Sequence, residues 1–298
     1  MKRTLIAALA LAAIAAPALA QTPPVAAPQA AANSDWRVIA PENLLVIDTS
    51  KGRVLVELAP EIAPLHVERI RLLAGLGFYD NLFWHRVIDL FMAQTGDPLG
   101  NGEGQSAYPD LKAEFMFRRG PDMAFTPVSA PAGAQIGFMG SLPIQTLPDS
   151  LLAASGDGKV SAWALYCPGV AGMARDDGND TANSQFFLMR QAYPSLDKRY
   201  TVWGRVVAGL DVVRSLKTGA DASGMVVDPD RMLRVRVASS LPETERPVVQ
   251  IVDNRSALFR ALVDSARATR GADFSPCDIE MPVQVSSPAP APAPAPAG

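Results

Sequence analysis

Three side chains with amide or guanidinium donors stand inside aromatic and apolar runs. Arg86 and Gln94 belong to the stretch Phe83-Trp84-His85-Arg86-Val87-Ile88-Asp89-Leu90-Phe91-Met92-Ala93-Gln94-Thr95-Gly96-Asp97. Gln185 belongs to Asn183-Ser184-Gln185-Phe186-Phe187-Leu188. An apolar pocket with a few fixed donors is the general form of a small-ligand site. Neither stretch sets a nucleophile beside a base or pairs two carboxylates. The chemistry open to them is non-covalent: a donor placed where a lone pair or charge develops in a transition state.

Both stretches read as strands, in which side chains alternate between faces. Gln94 then shares a face with Met92, and Gln185 with Phe187, while Phe186 turns into the core. Arg86 falls on the side of Trp84 and Ile88. A guanidinium in such surroundings costs free energy unless it is satisfied. Pairing with a carboxylate such as Asp97 is the structural alternative to a catalytic role. Phe91, Met92, Phe187 and Leu196 could line an apolar pocket, with ordinary core packing as the alternative. His85 reads as a satisfied core residue and His66 as a residue on the surface of a helix. With two Cys and two His in the chain, a metal site built from several such ligands is excluded by count. Gly158-Lys159 is followed by Val160, so no phosphate loop is present, and the acidic run 176–180 lacks calcium-loop spacing.

These stretches resemble the cyclophilin family of peptidyl-prolyl cis-trans isomerases. The first nearly reproduces the family pattern F-H-R-[IV]-I-x-x-F-M-x-Q-x-G-D, and the second matches N-[GS]-S-Q-F-F. Gly172-Met173-Ala174 stands where the family usually has S-M-A. Leu196-Asp197-Lys198-Arg199-Tyr200-Thr201-Val202-Trp203-Gly204-Arg205-Val206 is near L-D-x-x-[HY]-x-V-F-G-x-V. The likeness covers about residues 42–118 and 168–240.

The resemblance implies an isomerase that needs no cofactor. An X-Pro bond turns slowly because its amide nitrogen is conjugated, with a barrier of roughly 18–20 kcal/mol. In the twisted transition state the lone pair is localised on nitrogen, where a donor can bind it. The resemblance makes Arg86 that donor and places Gln94 on the substrate backbone. It assigns Phe91, Met92, Phe187, Leu196 and Tyr200 to the proline pocket, and Ala174, Arg175 and Gln185 to the passing substrate chain. Three positions depart from well-known members. Ser195 stands where many have Trp or Phe, which puts cyclosporin binding in doubt. Tyr200 replaces a His and Arg175 an Asn.

Spacing alone gives about eight short strands and few helices, which fits a barrel or a sandwich. The resemblance selects a mainly β, closed, eight-stranded antiparallel barrel capped by two helices, near residues 63–74 and 210–217. The cyclophilin-like domain is expected over 35–240, with an insert at about 118–166, rich in Gly, Pro and Ala. An extension follows over 241–285, with a helix near 256–266, capped by Asn254 or Ser256 and stopped by Gly271. Residues 286–298 are a Pro-Ala tail, expected to be extended and unpacked.

Residues 1–20 read as an export signal: Lys2 and Arg3, an apolar run, then Ala18-Leu19-Ala20. Residues 21–34 read as a flexible leader. The apolar run is too short to span a bilayer, so no membrane anchor is expected in the mature chain. A net charge of −3 gives no footprint for nucleic acid. Signal and resemblance together point to the periplasm, with X-Pro segments of exported polypeptides as partners. There an even cysteine count permits a Cys167–Cys277 disulfide, the alternative being two separate buried thiols. The leading expectation is a folding isomerase for exported proteins. The alternative is a cyclophilin-fold chaperone or binding module with little turnover.

Overall fold

We describe residues 35–286 of a computed structural model. The expected export signal, the leader and the tail from residue 287 lie outside the described residues. The chain opens with β1 (Trp36–Val38), β2 (Leu44–Thr49), β3 (Gly52–Leu58), α1 (Pro64–Gly75), β4 (Arg86–Ile88) and β5 (Met92–Thr95). Next come β6 (Phe117–Arg119), β7 (Thr126–Ser129), β8 (Gln135–Met139), β9 (Leu142–Thr146) and β10 (Val160–Ala164). The remainder comprises β11 (Val170–Met173), β12 (Phe186–Met189), β13 (Val202–Ala208), α2 (Leu210–Ser215), β14 (Met232–Val237), β15 (Val248–Val252), α3 (Ala257–Arg270) and β16 (Val283–Ser286).

Eight of these strands form one curled antiparallel sheet in the order β14-β2-β3-β13-β11-β12-β5-β4. The expected barrel is present, but its seam is not a full ladder. β4 and the segment before β14 meet through the isolated bridges Phe83↔Arg231 and Arg86↔Met225. Val87 N donates to Gly224 O at 2.8 Å and Val226 N to His85 O at 2.9 Å across the same seam. Leu45, Ile47, Val56, Val87, Ala93, Phe186, Leu188 and Trp203 fill the inside of the sheet. Both cap helices close it: α1 buries Val67, Ile70 and Leu73, and α2 buries Val213.

His66 corrects an expectation, since it is fully buried on α1 rather than surface-lying. Its Nδ1 lies 2.7 Å from Glu114 Oε2, and the same carboxylate accepts the main-chain N–H groups of Leu65 and His66 at 3.1 Å each. Glu114, from a distant loop, thus satisfies N–H groups of the helix's first turn that have no partner within the helix. His85 is buried as expected, with a backbone hydrogen bond at Phe83 and the Asp97 charge opposing the effect of burial on its ring. Burial pulls its pKa down, which keeps the ring neutral.

The insert is not a loop. β6 to β10 build their own five-stranded antiparallel sheet, in the order β6-β10-β9-β8-β7. One side of it supplies Met139, Leu142, Ile144, Ala162 and Ala164 to a second apolar cluster, which also holds Met92, Phe187, Met189 and Val202 from the barrel's outer face. Val128 and Phe138 pack instead with Phe259 and Val263 of α3. Ser256 caps α3, its side chain accepting from Phe259 N, and Gly271 follows the last turn at φ 58°. β1 pairs with β15, which pairs with β16, so the start of the domain and the extension form one small sheet.

Cys167 and Cys277 are bonded, with Cα atoms 5.1 Å apart. The bridge ties the extension to the turn before β11. In the chain-entropy model a closed loop of 110 residues is worth at most roughly 4–5 kcal/mol. Cys277→Ser should lower unfolding free energy by about 2–4 kcal/mol, measured by urea denaturation with isomerase activity followed in parallel. A variant as stable as the parent would show that noncovalent packing alone holds the extension.

Candidate active site

The barrel wall carries the site on its outer surface. Across the ladders, Arg86 on β4 faces Gln94 on β5, Gln94 faces Phe187 on β12, and Phe187 faces Gly172 on β11. The next outward row is Ile88, Met92 and Met189. Side chains of one row point to one face, so four strands bring the expected residues together. Phe186 turns inward and Phe187 outward, as alternation requires. Trp84 does not share the outer face with Arg86 as expected. It lies in the barrel interior, because the chain before Arg86 leaves the β4–β5 ladder and joins the seam.

Met92 and Phe187 form the floor of an apolar recess, at 2% and 5% exposure. Phe91, Leu196, Tyr200 and Ala174 pack partly buried around them. Beneath Phe187 lies the fully buried Tyr166, its ring stacked at 5.9 Å. Gly172 makes room for this pair: a Cβ there would meet Phe187 Cζ at 2.5 Å and the Tyr166 hydroxyl at 2.7 Å. Glycine in place of the family's usual serine therefore goes with an extra aromatic layer under the pocket floor.

A relay of hydrogen bonds runs along the recess. Arg86 Nη1 donates to Gln94 Oε1 at 3.0 Å, and Gln94 Nε2 donates to Gln185 Oε1 at 2.9 Å. Gln185 Nε2 donates in turn to the carbonyls of Gly102 and Gly104, each at 2.9 Å. Arg86 Nε donates to Ser223 O at 2.8 Å. Among the described residues, Arg86 makes no pair with a carboxylate, and its Nη2 donates to no protein acceptor. Burial pulls the Arg86 pKa down and the nearby Tyr200 opposes this, yet a guanidinium stays charged in a protein. Asp97, the alternative partner, is fully buried elsewhere, accepting from Leu99, Asn101 and Gly102 N–H groups at 2.7, 2.9 and 2.5 Å. It shapes the loop whose carbonyls anchor Gln185.

Beside the recess is a polar cavity of about 330 Å³, bordered by Gln94, Gln185, Ala174, Arg175, Glu103 and Thr181. Arg175 is held against the protein. Its guanidinium lies over the Tyr200 ring at 4.6 Å and donates to the carbonyls of Arg199, Asp176 and Asp177. Ser195 is exposed and offers no ring, but the Tyr193 ring lies tilted against Phe91, with centroids 4.4 Å apart. Tyr193 and Tyr166 escaped the sequence reading, since neither falls in a recognised motif.

These site contacts accompany a family assignment. The pattern of the cyclophilin type peptidyl-prolyl cis-trans isomerase/CLD family matches residues 44–237. A probable peptidyl-prolyl cis-trans isomerase of Brucella suis biovar 1 is 34% identical over 209 residues, 66% of this chain and 83% of that protein. A peptidyl-prolyl cis-trans isomerase-like 1 of Aspergillus fumigatus is 31% identical over 65% of this chain and 94% of its own length. A cyclophilin crystal structure from Hirschia baltica superposes with a TM-score of 0.76 at 35% identity, covering 84% of this chain and 93% of that one. The chain belongs to the cyclophilin-type peptidyl-prolyl cis-trans isomerases.

One acid beside the pocket should leave a titration signature. Burial raises the Asp197 pKa to about 6, against the hydrogen bond it accepts from Tyr166 N. A carboxyl whose folded pKa exceeds its unfolded value of 3.8 adds stability below 3.8 and loses it as pH rises through about 6. The unfolding free energy of the native chain minus that of Asp197→Asn should therefore increase as pH falls from 7 to 4. Urea denaturation across that range checks it, and a flat difference would mean Asp197 titrates normally.

Proposed function

We propose that the protein catalyses rotation of X-Pro bonds in exported polypeptides through one hydrogen bond from Arg86. The observation that carries this is the uncompensated guanidinium beside an apolar recess. Two of its nitrogens are fixed by Ser223 O and Gln94, and among the described residues Nη2 meets no acceptor and can donate to substrate. A proline ring seated over Met92 and Phe187 brings its nitrogen to the side of the wall where Arg86 stands. In the planar ground state that nitrogen accepts poorly, because its lone pair is delocalised. In the twisted state the lone pair is localised and accepts well. The donor therefore binds the transition state better than the substrate, which lowers the barrier without proton transfer.

The Gln94–Gln185 relay fixes the guanidinium before substrate arrives, so little reorganisation accompanies the reaction. Gln94 Nε2 and Oε1 are both occupied in this relay. Contact with the substrate backbone then requires Gln94 to exchange one partner or to use the second hydrogen of its amide. The basic, then apolar, then Ala18-Leu19-Ala20 pattern of residues 1–20, read as an export signal, and the Cys167–Cys277 bridge support a role in an oxidising compartment such as the periplasm. Folding envelope proteins expose X-Pro bonds there, and those are the substrates this reading assigns.

Arg86→Ala should lower kcat/KM on a tetrapeptide X-Pro substrate by about 10²–10³-fold, the usual cost of one preorganised donor. Arg86→Lys should recover little, since a compact ammonium does not reproduce the planar fork that reaches Ser223 O and Gln94 from separate nitrogens. Circular dichroism and urea midpoints should match the parent. Turnover within threefold of the parent in Arg86→Ala would remove this mechanism. A parent protein that binds X-Pro peptide without accelerating its exchange would favour the chaperone alternative.

A further inference from the structure

A second cavity, of about 250 Å³, opens on the outer side of β13, where the insert and the extension meet the barrel. Its walls come from four parts of the chain: Arg205 on β13, Leu210 and Arg214 on α2, Ser141 in the turn between β8 and β9, and Ile251 and Met281 of the extension. None of the residues that form the recess or the polar cavity beside it borders this one. We propose that this cavity binds a small monocarboxylate with an aliphatic tail, the carboxylate on Arg205 and the tail against Leu210, Ile251 and Met281.

Arg205 has donors that the protein does not use. It stands opposite Glu57 on β3, but that carboxylate is already engaged. Glu57 accepts from Arg37 Nη1 and Nη2 at 2.6 and 2.8 Å and from Ser141 N at 3.1 Å. Among the described residues, Arg205 makes one hydrogen bond, from Nη1 to Ser141 O at 2.7 Å, and its Nε and Nη2 meet no acceptor. Those two nitrogens lie along one edge of the guanidinium. Through the same edge Arg53 takes the carboxylate of Asp48 and Arg118 that of Asp157. Burial pulls the Arg205 pKa down to about 10, against the charges of Glu57 and Glu280, so the group remains charged at neutral pH. An enclosed guanidinium without a bonded carboxylate costs free energy, and a fork of two N–H groups fits a carboxylate oxygen pair.

Charge balance and lining select the ligand. Arg205 and Arg214 carry two positive charges at the cavity and Glu280 one negative, which leaves one positive charge to be matched. A single carboxylate matches it, whereas a phosphate dianion overshoots and meets Glu280. Ser141 borders the same cavity, and its buried hydroxyl has no hydrogen-bond partner among the described residues. The opposite wall is apolar: Ile251 is buried, with Val207, Met281 and Val283 packed around it. The volume lies just under the roughly 300–1,000 Å³ of drug-sized sites, so the ligand is small. It would touch barrel, insert and extension at once.

The test uses the full chain with hexanoate as probe and hexanol, hexylamine and phosphate as controls. Hexanoate should shift the amide resonances of Ser141, Arg205 and Met281 saturably and raise Tm, as binding to the folded state requires. The controls should do neither. Arg205→Met, which keeps the aliphatic stem, should weaken hexanoate binding about tenfold or more, the worth of charge-assisted hydrogen bonds. If loss of the bond to Ser141 O unfolds that variant, Arg214→Gln and the contrast of hexanoate with hexanol on the parent decide. Arg214→Gln should weaken hexanoate several-fold. Hexanol binding as tightly as hexanoate would mean an apolar cavity with no carboxylate site. Equal shifts with phosphate would mean unselective anion contact. Shifts at Ala174, Gln185 and Phe187 instead would put the probe in the recess. Any of these results, or no saturable shift with hexanoate, would overturn the proposal.

Discussion

The wall made by β5, β12 and β11 is apolar on both faces, and the rest of the molecule is arranged around that constraint. Ala93, Phe186, Leu188 and Ala171 face the barrel interior, while Met92, Phe187 and Met189 face out. Exposing a large apolar side chain costs about 1.5–3 kcal/mol each relative to burying it. A cyclophilin wall leaves part of its outer face open for substrate. Here the five-stranded insert covers much of what remains, with Ile144 and Ala162 fully buried against it. The insert sheet in turn has apolar residues on its other side, which α3 covers through Phe259 and Val263. The Cys167–Cys277 bond closes this stack, wall to extension. The recess is what is left uncovered.

Within that opening, one charged group is held without a counter-charge among the described residues. Arg86 is fixed by neutral acceptors, Ser223 O and Gln94 Oε1. A carboxylate partner would hold the guanidinium more tightly but draw its donor strength away from substrate. Asp97, two residues beyond the motif's last glutamine and threonine pair, could have played that part. It is turned instead into the 97–104 loop, where backbone N–H groups hold its pKa below the usual carboxylate range despite burial. Its charge then acts indirectly: it fixes the loop, the loop carbonyls fix Gln185, and Gln185 fixes Gln94.

The barrel and the recess were legible because period-two alternation and the family motifs act over a few residues. Phe186 and Phe187 separate to opposite faces on alternation alone, and Ser256 and Gly271 frame α3 on capping rules alone. The insert was legible only as a stretch rich in Gly, Pro and Ala, although Ile136-Gly137-Phe138-Met139 lies in β8. Its other strands are short, interrupted by proline at Pro127 and Pro143, and satisfied only by pairing within their own sheet. Trp84 and His66 misled for a shared reason. Their burial depends on segments far away in sequence, the seam at 224–232 and the loop carrying Glu114. Tyr166 and Tyr193 complete the pocket from outside every motif, so nothing local marked them.

In this mechanism the amide relay acts through Arg86 alone. A double-mutant cycle on Gln185→Ala and Arg86→Ala, read as kcat/KM on an X-Pro tetrapeptide, tests it most directly. Gln185→Ala alone should slow the parent about tenfold, since it loosens Gln94 and with it the guanidinium. In the Arg86→Ala background the same change should have no effect on the remaining rate. Equal effects of Gln185→Ala in both backgrounds would mean that Gln185 meets the substrate independently, and the relay would not be the device that prepares the donor.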